Sequence, residues 1–286
     1  MAKTLQSKPL LLAGLSLALC ASAAGAPRRI VSLSPNITEL LYGIGAFSQV
    51  VGVSDYCTYP PEVSKLPSVG GWSTPSLEKL AGLEPDLVIV DDAEGSFVED
   101  SFRKLGLKFM LAPTRTVQDV YRATAQLGQA TGHQQQAARL IAATREGLAR
   151  VAQKTAGLDR RKVVLIVDRT PGTLRDLYTA TAGGFLGELV EIAGGRIPLT
   201  PGKNGYGALS KEDLLAANPD VILDFTHEPN SRFASSPIEA WRELPELKAV
   251  RTGRVYSVNE DFVPHASQRM VQTAELFARL IHPEVK

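Results

Sequence analysis

Two distant stretches of the chain share one pattern of hydrophobic and polar positions. Residues 76–89 read SLEKLAGLEPDLVI and residues 210–223 read SKEDLLAANPDVIL, and the second begins 134 residues after the first. The two agree at a serine, a glutamate, a leucine and a Pro-Asp pair. Self-similarity at a fixed offset indicates a repeated structural unit. The chain is therefore predicted to contain two similar halves.

Each copy predicts a helix followed by a buried strand. The serine is a typical helix N-cap, and a glutamate in the first turn is favoured by the helix dipole. Proline disfavours helical geometry in the residue before it, so Pro-Asp marks the end of the helix. The apolar runs that follow, at 87–90 and 221–223, are typical of strands buried on both faces of a parallel sheet.

Further apolar runs extend this pattern through both halves. Strands are predicted at 29–33, 50–53, 107–111, 162–167 and 254–258. Helices are predicted at 117–130 and 133–156, and a helix of about 24 residues is about 36 Å long, enough to join two lobes. The predicted fold is α/β, with two similar doubly wound lobes joined by one long rigid α-helix and a ligand cleft between the lobes.

The first residues have the three parts of a secretory signal. Lys3 and Lys8 are the positive region, and small residues fill 21–26. The apolar run between them, at 10–19, is shorter than the roughly 20 residues that cross a bilayer as a helix. A signal peptide at 1–23 and export to the periplasm are therefore predicted.

The two cysteines bear on the predicted location of the protein and on its stability. Cys20 follows the apolar run and could carry a lipid anchor, but Leu19 stands before it where a small residue is usual. A lipoprotein is therefore the less favoured reading. Removing the signal leaves only Cys57, so an internal disulfide is excluded, and we interpret Cys57 as an inert, partly buried thiol.

The mature chain divides into three predicted segments. They are an N-terminal α/β lobe at 24–132, a connecting helix at 133–157 and a C-terminal α/β lobe at 158–286.

Composition narrows the classes of function. The 286 residues are 44% hydrophobic and 21% charged, which is typical of a globular protein. The net charge is +1 without a basic run, so nucleic acid is not an expected partner. The sequence has no Gly-rich phosphate loop, nucleophile elbow or HExxH motif. We therefore expect neither an enzyme nor a resident cofactor or metal.

Aromatic residues in loops are the candidate ligand contacts. Trp72 lies in a Gly-Gly-Trp-Ser-Thr-Pro loop between a strand and a helix, and such loops meet ligands in α/β proteins. A core position is the alternative for Trp72, and Trp241 is expected in the core. Tyr206, in a Gly-Tyr-Gly sequence, is either a cleft residue or a plain turn aromatic, and Tyr178 is similar.

Several stretches carry a family resemblance. They are RRIVSLSPNITELLYGIGA, VVGVSDYCTYPPEVSKLPSVGGW, YTATAGGFLGELVEIAGG and DFVPHASQR, together with the two helix–PD–strand steps. In these the chain resembles the periplasmic vitamin B12-binding proteins of ABC importers, within the wider class of helical-backbone binders of cobalamin, siderophores and haem. The resemblance implies capture of cobalamin or a related corrinoid and its delivery to the importer membrane subunits.

The resemblance also implies a set of ligand-binding residues. Tyr56 and Trp72 stand where the family places a ring-facing Tyr and Trp in the first lobe. Tyr178 and Tyr206 stand where it places a Phe and a Trp in the second, and Asp261 matches a polar contact.

Three more residues follow from the resemblance. His265 stands where the family places an Arg, so it is predicted to donate a hydrogen bond to the ligand or to coordinate the cobalt of a bound ring. A solvent-exposed loop histidine is the alternative. Glu78 and Glu212 match the acids that dock onto the importer, one from each lobe, and they are the two glutamates of the repeat.

Two rival ligand classes stay open. A ferric siderophore needs several arginines, which Arg175, Arg232 and Arg269 could supply, and haem needs an axial residue such as His265 or Tyr56. A free-metal binder is less favoured, since the spacing of the candidate ligands shows no metal motif. Those candidates are His133, His227, His265, His282, Glu228 and Asp261.

Overall fold

The structure is a computed structural model that describes residues 25–225 and 237–284. The predicted signal peptide and Cys20 lie outside the described residues, as do His227, Glu228 and Arg232. Among the residues described, no helix is both long and apolar enough to cross a membrane.

The first half of the chain forms a parallel sheet of four strands in the order β2-β1-β3-β4. The strands are β1 (Ile30–Ser32), β2 (Val50–Val53), β3 (Leu87–Asp91) and β4 (Phe109–Ala112). The intervening helices are α1 (Pro35–Gly43), α2 (Leu77–Gly82) and α3 (Glu99–Lys104). The two central strands are almost wholly buried, as continuous apolar runs predict.

Two helices follow, α4 (Val117–Thr131) and α5 (Gln134–Thr155). Gly132 ends α4 in the left-handed conformation, with φ of 82°, which glycine adopts without a steric penalty. The 22 residues of α5 make a helix about 33 Å long. It packs against α4 and against two helices of the second half. The prediction of one long connecting helix is confirmed.

The second half forms a sheet in the order β10-β9-β5-β6-β8, with β7 paired to β5. The strands are β5 (Arg161–Asp168), β6 (Tyr178–Ala180), β7 (Gly195–Arg196), β8 (Tyr206–Ala208), β9 (Val221–Phe225) and β10 (Val255–Val258). The helices are α6 (Phe185–Ile192), α7 (Lys211–Ala217), α8 (Pro237–Ala240), α9 (Lys248–Arg251) and α10 (Met270–Ile281).

This second sheet differs from the first in strand direction. Strands β5, β9 and β10 are parallel, whereas β6 and β8 run antiparallel to their neighbours. Only residues 169–177 connect β5 to β6. That connection is too short for a parallel crossover, which needs about a dozen residues or more, so the chain turns back on itself. The α/β class and the two-lobe fold are confirmed, while the predicted lobe boundaries stay predictions.

The repeat makes the same contacts in both lobes. Ser76 and Ser210 each cap a helix by accepting a backbone N–H in the first turn, at 3.3 and 3.0 Å. Asp86 accepts N–H groups just before β1, the nearer at 2.7 Å, and Asp220 accepts an N–H of β5 at 2.8 Å. Each Pro-Asp pair thus ties the start of a later strand to the first strand of its lobe.

The largest hydrophobic cluster includes side chains of both sheets and of α5. A second cluster lies within the C-terminal lobe around Trp241, and a third within the N-terminal lobe around Phe102. Trp241 is fully buried, which confirms its predicted core position.

Candidate functional site

A cavity of about 400 Å³ lies between the two lobes. The first lobe contributes Asn36, Asp91, Ala93, Glu94, Thr114 and Arg115. The second contributes Tyr178, Phe185, Lys203, Asn204, Tyr206, Pro264 and Ala266. The residues from the first lobe follow β1, β3 and β4 along the chain, so the cavity lies at the carboxyl ends of that sheet, the usual place for ligands in α/β folds.

The wall from the second lobe is an antiparallel pair of short strands. Tyr178 is paired with Ala208 and Tyr206 with Ala180, so the two tyrosines are diagonal neighbours on one face. Their rings are stacked, with centroids 6.2 Å apart and planes 12° from parallel. Burial raises the pKa of Tyr206 to about 12, and the nearby Asp91 charge adds to the effect. The Tyr206 hydroxyl therefore stays protonated at neutral pH.

Two glycines allow this wall to form. Gly205 has φ of 82°, and a Cβ added there would lie 2.3 Å from the Cα of Gly184 at the start of α6. Only two residues without side chains can approach so closely. The contact places Tyr206, the next residue, beside the N-terminus of α6.

The floor of the cavity is built on Asp91 at the end of β3. This buried carboxylate accepts hydrogen bonds from Asn36 Nδ2 at 2.7 Å, from the Ala93 N–H at 2.9 Å and from the Thr114 hydroxyl. Three donors from three segments fix its position. Asp91 therefore holds a carboxylate in one place on the cavity floor.

Glu94 lies beside Asp91 on the same floor. The Ser34 hydroxyl donates to Glu94 Oε2 and accepts the N–H of Asp91 at 3.0 Å. Burial raises the pKa of Glu94 to about 7; the bond from Ser34 opposes this shift and the charge of Asp91 adds to it. Glu94 therefore changes its charge near neutral pH.

Two cations line the same cavity. Arg115 is paired with Asp92 at 3.2 Å, and its Nη1 donates across the cleft to Asn204 Oδ1 at 2.9 Å. Lys203 is exposed on the other lobe. The Arg115–Asn204 bond joins the two lobes over the cavity.

The predicted aromatic residues of the first lobe, Tyr56 and Trp72, are not among the residues that line the cavity. Trp72 is half-buried and meets Phe97 edge to face, with ring centroids 5.4 Å apart. Phe97 is 61% exposed and comes three residues after Glu94. Tyr56 is 56% exposed and lies beside Gly71. Trp72 belongs to none of the three hydrophobic clusters, so the structure does not favour its core alternative.

Asp261 and His265 have protein partners that join the lobes. Asp261 accepts from the Thr58 hydroxyl and from Arg269 Nη2, both at 3.2 Å. The ring of His265 is largely buried, and its Nδ1 lies 2.8 Å from Glu39 Oε1. Neither residue lines the cavity, although both belong to the segment that supplies Pro264 and Ala266. Their predicted ligand contacts stay predictions.

Glu39 is the centre of a buried polar cluster between the lobes. Its carboxylate, 1% exposed, also accepts from Arg269 Nη1 at 2.9 Å and from the Ser267 hydroxyl. Its backbone oxygen accepts from Gln268 Nε2 at 2.9 Å. We call these five residues, Glu39, His265, Ser267, Gln268 and Arg269, the Glu39 cluster. Because Glu39 is in α1, the cluster ties the first lobe to the segment before α10.

The two predicted docking acids have equivalent positions. Glu78 lies in the first turn of α2 and Glu212 in the first turn of α7, and both are exposed. Their role in docking stays a prediction.

Two of the histidines named for the rival metal-binding hypothesis lie close to backbone carbonyls. Within residues 25–225 and 237–284, no group of three or more His, Cys, Asp and Glu could hold a metal ion. His133 lies 3.0 Å from the Thr131 carbonyl, and His282 Nε2 lies 3.1 Å from the Gly194 carbonyl. Cys57 is buried, and burial raises the pKa of its thiol, which fits an inert role.

The sequence reasoning missed Asp91, Glu94, Phe97 and Glu39. A signal for the first three was present, because the DDAEGSF segment directly follows a buried strand at its carboxyl end. Glu39 is an acid within the apolar helix ITELL, a position that requires a buried partner.

The comparisons with known proteins agree with this geometry. The family model described as periplasmic binding protein matches residues 30–262. The chain is 29% identical over 265 residues to YvrC of Bacillus subtilis, an ABC transporter substrate-binding lipoprotein, covering 90% of this chain and 81% of that one. It is 28% identical over 265 residues to a cobalamin-binding protein of Halobacterium salinarum, covering 90% and 70%.

Solved structures share the fold. The vitamin B12-binding protein BtuF of Vibrio cholerae superposes with a TM-score of 0.76 at 24% identity, covering 90% of this chain and 98% of that one. A periplasmic haem-binding protein of Pseudomonas aeruginosa gives 0.78 at 22% identity, covering 91% and 94%. With a family model that spans most of the sequence and a two-lobe fold with an interlobe cavity, the chain belongs to the periplasmic binding protein family.

Proposed function

We propose that this protein captures cobalamin or a related corrinoid between its lobes and delivers it to an ABC importer. The observation that carries the proposal is a cavity between the lobes that is walled by two stacked aromatic side chains, Tyr178 and Tyr206. In the first lobe, Trp72 packs against Phe97, which comes three residues after the cavity residue Glu94. The relatives named for cobalamin and for ABC transport support the same reading.

The chemistry of a corrin suits these walls. Its ring is broad, has apolar faces and is fringed with amides, and flat aromatic faces with a few polar groups match it. A whole cobalamin is larger than the 400 Å³ cavity. The ring must therefore extend beyond the cavity, and the exposed aromatic side chains of Tyr56, Phe97 and Tyr178 are the proposed contacts there.

In this proposal the corrinoid is cargo, and the protein is a carrier instead of an enzyme. Bound ligand recovered after denaturation should have the mass of the ligand that was added. A chemically altered ligand would contradict this part of the proposal.

Titration calorimetry with cyanocobalamin tests the binding step. We expect saturation at one ligand per chain. Trp72→Ala should weaken binding by about 1–3 kcal/mol, the scale of one buried aromatic contact, with little change in melting temperature. Tyr42→Ala is the control, because Tyr42 is an exposed aromatic whose ring packs against Phe47 and Tyr59 and not against Phe97. Absence of heat and of a spectral change at micromolar ligand would reject cobalamin.

The second candidate is haem or a ferric siderophore, because Arg115 and Lys203 line the cavity and could meet anionic groups. Haem-binding proteins among the similar structures favour the same alternative. Haemin and a ferric siderophore belong in the same titration. Tight haemin binding together with no cyanocobalamin binding would establish this alternative.

His265 has a test of its own. Its Nδ1 is occupied by Glu39, so Nε2 is the nitrogen that could reach a ligand. Aquocobalamin exchanges its upper ligand for an imidazole, whereas cyanocobalamin does not. Coordination by His265 predicts an absorption shift with aquocobalamin that His265→Asn abolishes. Equal spectra for both proteins would reject coordination.

Docking through Glu78 and Glu212 is the third part of the proposal. The two acids occupy equivalent exposed positions in two lobes, which suits a symmetric importer. Replacing both by alanine should leave ligand affinity unchanged and weaken complex formation with the membrane subunits. The Glu62→Ala, Glu275→Ala double variant removes two other exposed acids and is the control. Equal complex formation by both double variants would reject the assignment.

Export of the protein is the last part of the proposal. The mass of the mature N-terminus distinguishes cleavage near residue 23 from a lipid-modified Cys20.

A further inference from the structure

The cavity floor offers acceptor oxygens that the protein itself does not use. Asp91 and Glu94 both line the cavity, and Asp91 already accepts from three protein donors. Glu94 accepts from Ser34 through Oε2 only. Within the described ranges, its other oxygen, Oε1, has no donor.

Tyr206 adds a second unused polar group. It lines the same cavity, and among the described residues its hydroxyl makes no hydrogen bond. Tyr206 and Glu94 line the same cavity, so the phenol can donate to a ligand bound there and Glu94 Oε1 can accept from it.

The cations of the cavity do not neutralise this floor. Arg115 is already paired with Asp92 and bonded to Asn204. Lys203 is exposed, so solvent screens it from the floor. Neither cation is within salt-bridge distance of Asp91 or Glu94.

We propose that Glu94, together with Asp91 and Tyr206, makes the cleft select a ring fringed with carboxamides over a ring that carries free carboxylates. An amide N–H can donate to Glu94 Oε1, and a charged acceptor strengthens such a bond. A carboxylate at the same place has no hydrogen to donate and meets like charge, which is an effective element of discrimination. The inference rests on the proposed function, because it names the substrate class of that cleft.

The charge of Glu94 gives the discrimination a pH dependence. The pKa of Glu94 is raised to about 7, mainly by burial, so Glu94 gains its charge between pH 6 and 8. Ligand carboxylates are ionised throughout this range. Discrimination against them should therefore increase as the pH rises from 6 to 8. The charged and titratable groups that line the cavity together with Glu94 are Asp91, Arg115, Lys203, Tyr178 and Tyr206, and Arg115 is paired with Asp92.

Two corrinoids that differ only in their side chains provide the test. Dicyanocobinamide carries amides and dicyanocobyrinic acid carries carboxylic acids on the same corrin. We expect wild type to bind the amide form at least about 100-fold more tightly at pH 8. Glu94→Gln should reduce that ratio about tenfold, because one like charge is removed. Glu99→Gln is the control, since Glu99 lies close to Gly95, outside the cavity lining, and is paired with Arg103 at 3.1 Å.

The outcomes separate this inference from the proposed function. If wild type binds cobinamide but Glu94→Gln and Glu99→Gln keep the wild-type ratio, the inference is wrong and the proposed function stands. If wild type binds neither cyanocobalamin nor cobinamide, both are wrong. Should Glu94→Gln fold poorly, the wild-type ratio at pH 6 and pH 8 replaces it, and a ratio that does not change with pH contradicts the inference.

Discussion

The two lobes are alike at the amino ends of their strands and different at the carboxyl ends. Asp86 and Asp220 make equivalent bonds to the start of the first strand of each lobe. At the other edge, the first lobe presents loops after parallel strands, and the second presents the antiparallel pair β6 and β8. The repeat therefore corresponds to the part of the fold that the two lobes share, whereas the carboxyl edges of the two sheets differ.

The two edges are also held in place differently. Tyr178 and Tyr206 are set by the register of a ladder and by one contact between glycine backbones. The Tyr56 loop is tied to the opposite lobe, by the Thr58–Asp261 bond and by Arg269, whose guanidinium lies 4.6 Å from the ring centroid of Tyr59. The two tyrosines are thus fixed from within their own lobe, whereas the Tyr56 loop depends on the contact between lobes.

The largest expected effect comes from breaking that contact at Glu39. Glu39→Ala leaves Arg269 and His265 without their buried partner, and such a change typically costs about 3–5 kcal/mol of stability. Urea unfolding measures the loss. Glu99→Ala removes an exposed i,i+4 pair instead and should cost less than about 1 kcal/mol. Equal losses would show that the Glu39 cluster does not hold the lobes together.

The next largest effect is the pH dependence of stability that Glu94, on the floor of the cavity, should cause. The folded-state pKa of Glu94, about 7, is above its ordinary value of 4.5, so the folded protein holds this proton more tightly than the unfolded chain. The stability that this bound proton adds to the folded state is fully present below pH 4.5 and is lost as the pH rises to about 7. Its total is about 3 kcal/mol. Glu94→Gln lacks the titration, so its unfolding free energy should decline less between pH 5 and 8. Parallel pH profiles for the two proteins would contradict this.

A smaller loss of stability is expected from replacing a glycine by alanine, and it should differ between the two lobes. Gly205→Ala places a Cβ 2.3 Å from the Cα of Gly184 at positive φ, which should cost about 1–3 kcal/mol and weaken ligand binding through Tyr206. Gly71→Ala meets nothing nearer than 3.6 Å and should be nearly neutral. Thermal melting and one ligand titration check both variants. A tolerated Gly205→Ala would mean that the second wall is less rigid than its ladder indicates.

Most of the longer helices and strands could be predicted, because they follow from local patterns in the sequence. The apolar runs predicted β3, β5 and β9 to within two residues at each end, and the helical stretches predicted α4 and α5 to within one. Strands β6 and β8 were missed because each has three residues in sequence rich in Gly, Ala and Thr, without an apolar run. Short strands of this kind are stabilised by their neighbours.

The site was less predictable, because its contacts join distant residues. Tyr178 and Tyr206 were expected in the cleft from the resemblance, and they do line the cavity. Asp261 and His265 were expected to meet ligand, yet their partners in the structure are protein groups. The His265–Glu39 contact spans 226 positions of sequence, which no local pattern reports.

The Glu39 cluster has a consequence for the use of this protein as an optical sensor. Many sensors built on binding proteins rely on a change in distance between two dyes, one in each lobe. Here several buried hydrogen bonds hold the lobes together, so such a distance should change little. A single dye at the position of Phe97, close to the absorbing ring that we propose as ligand, should report occupancy by quenching instead.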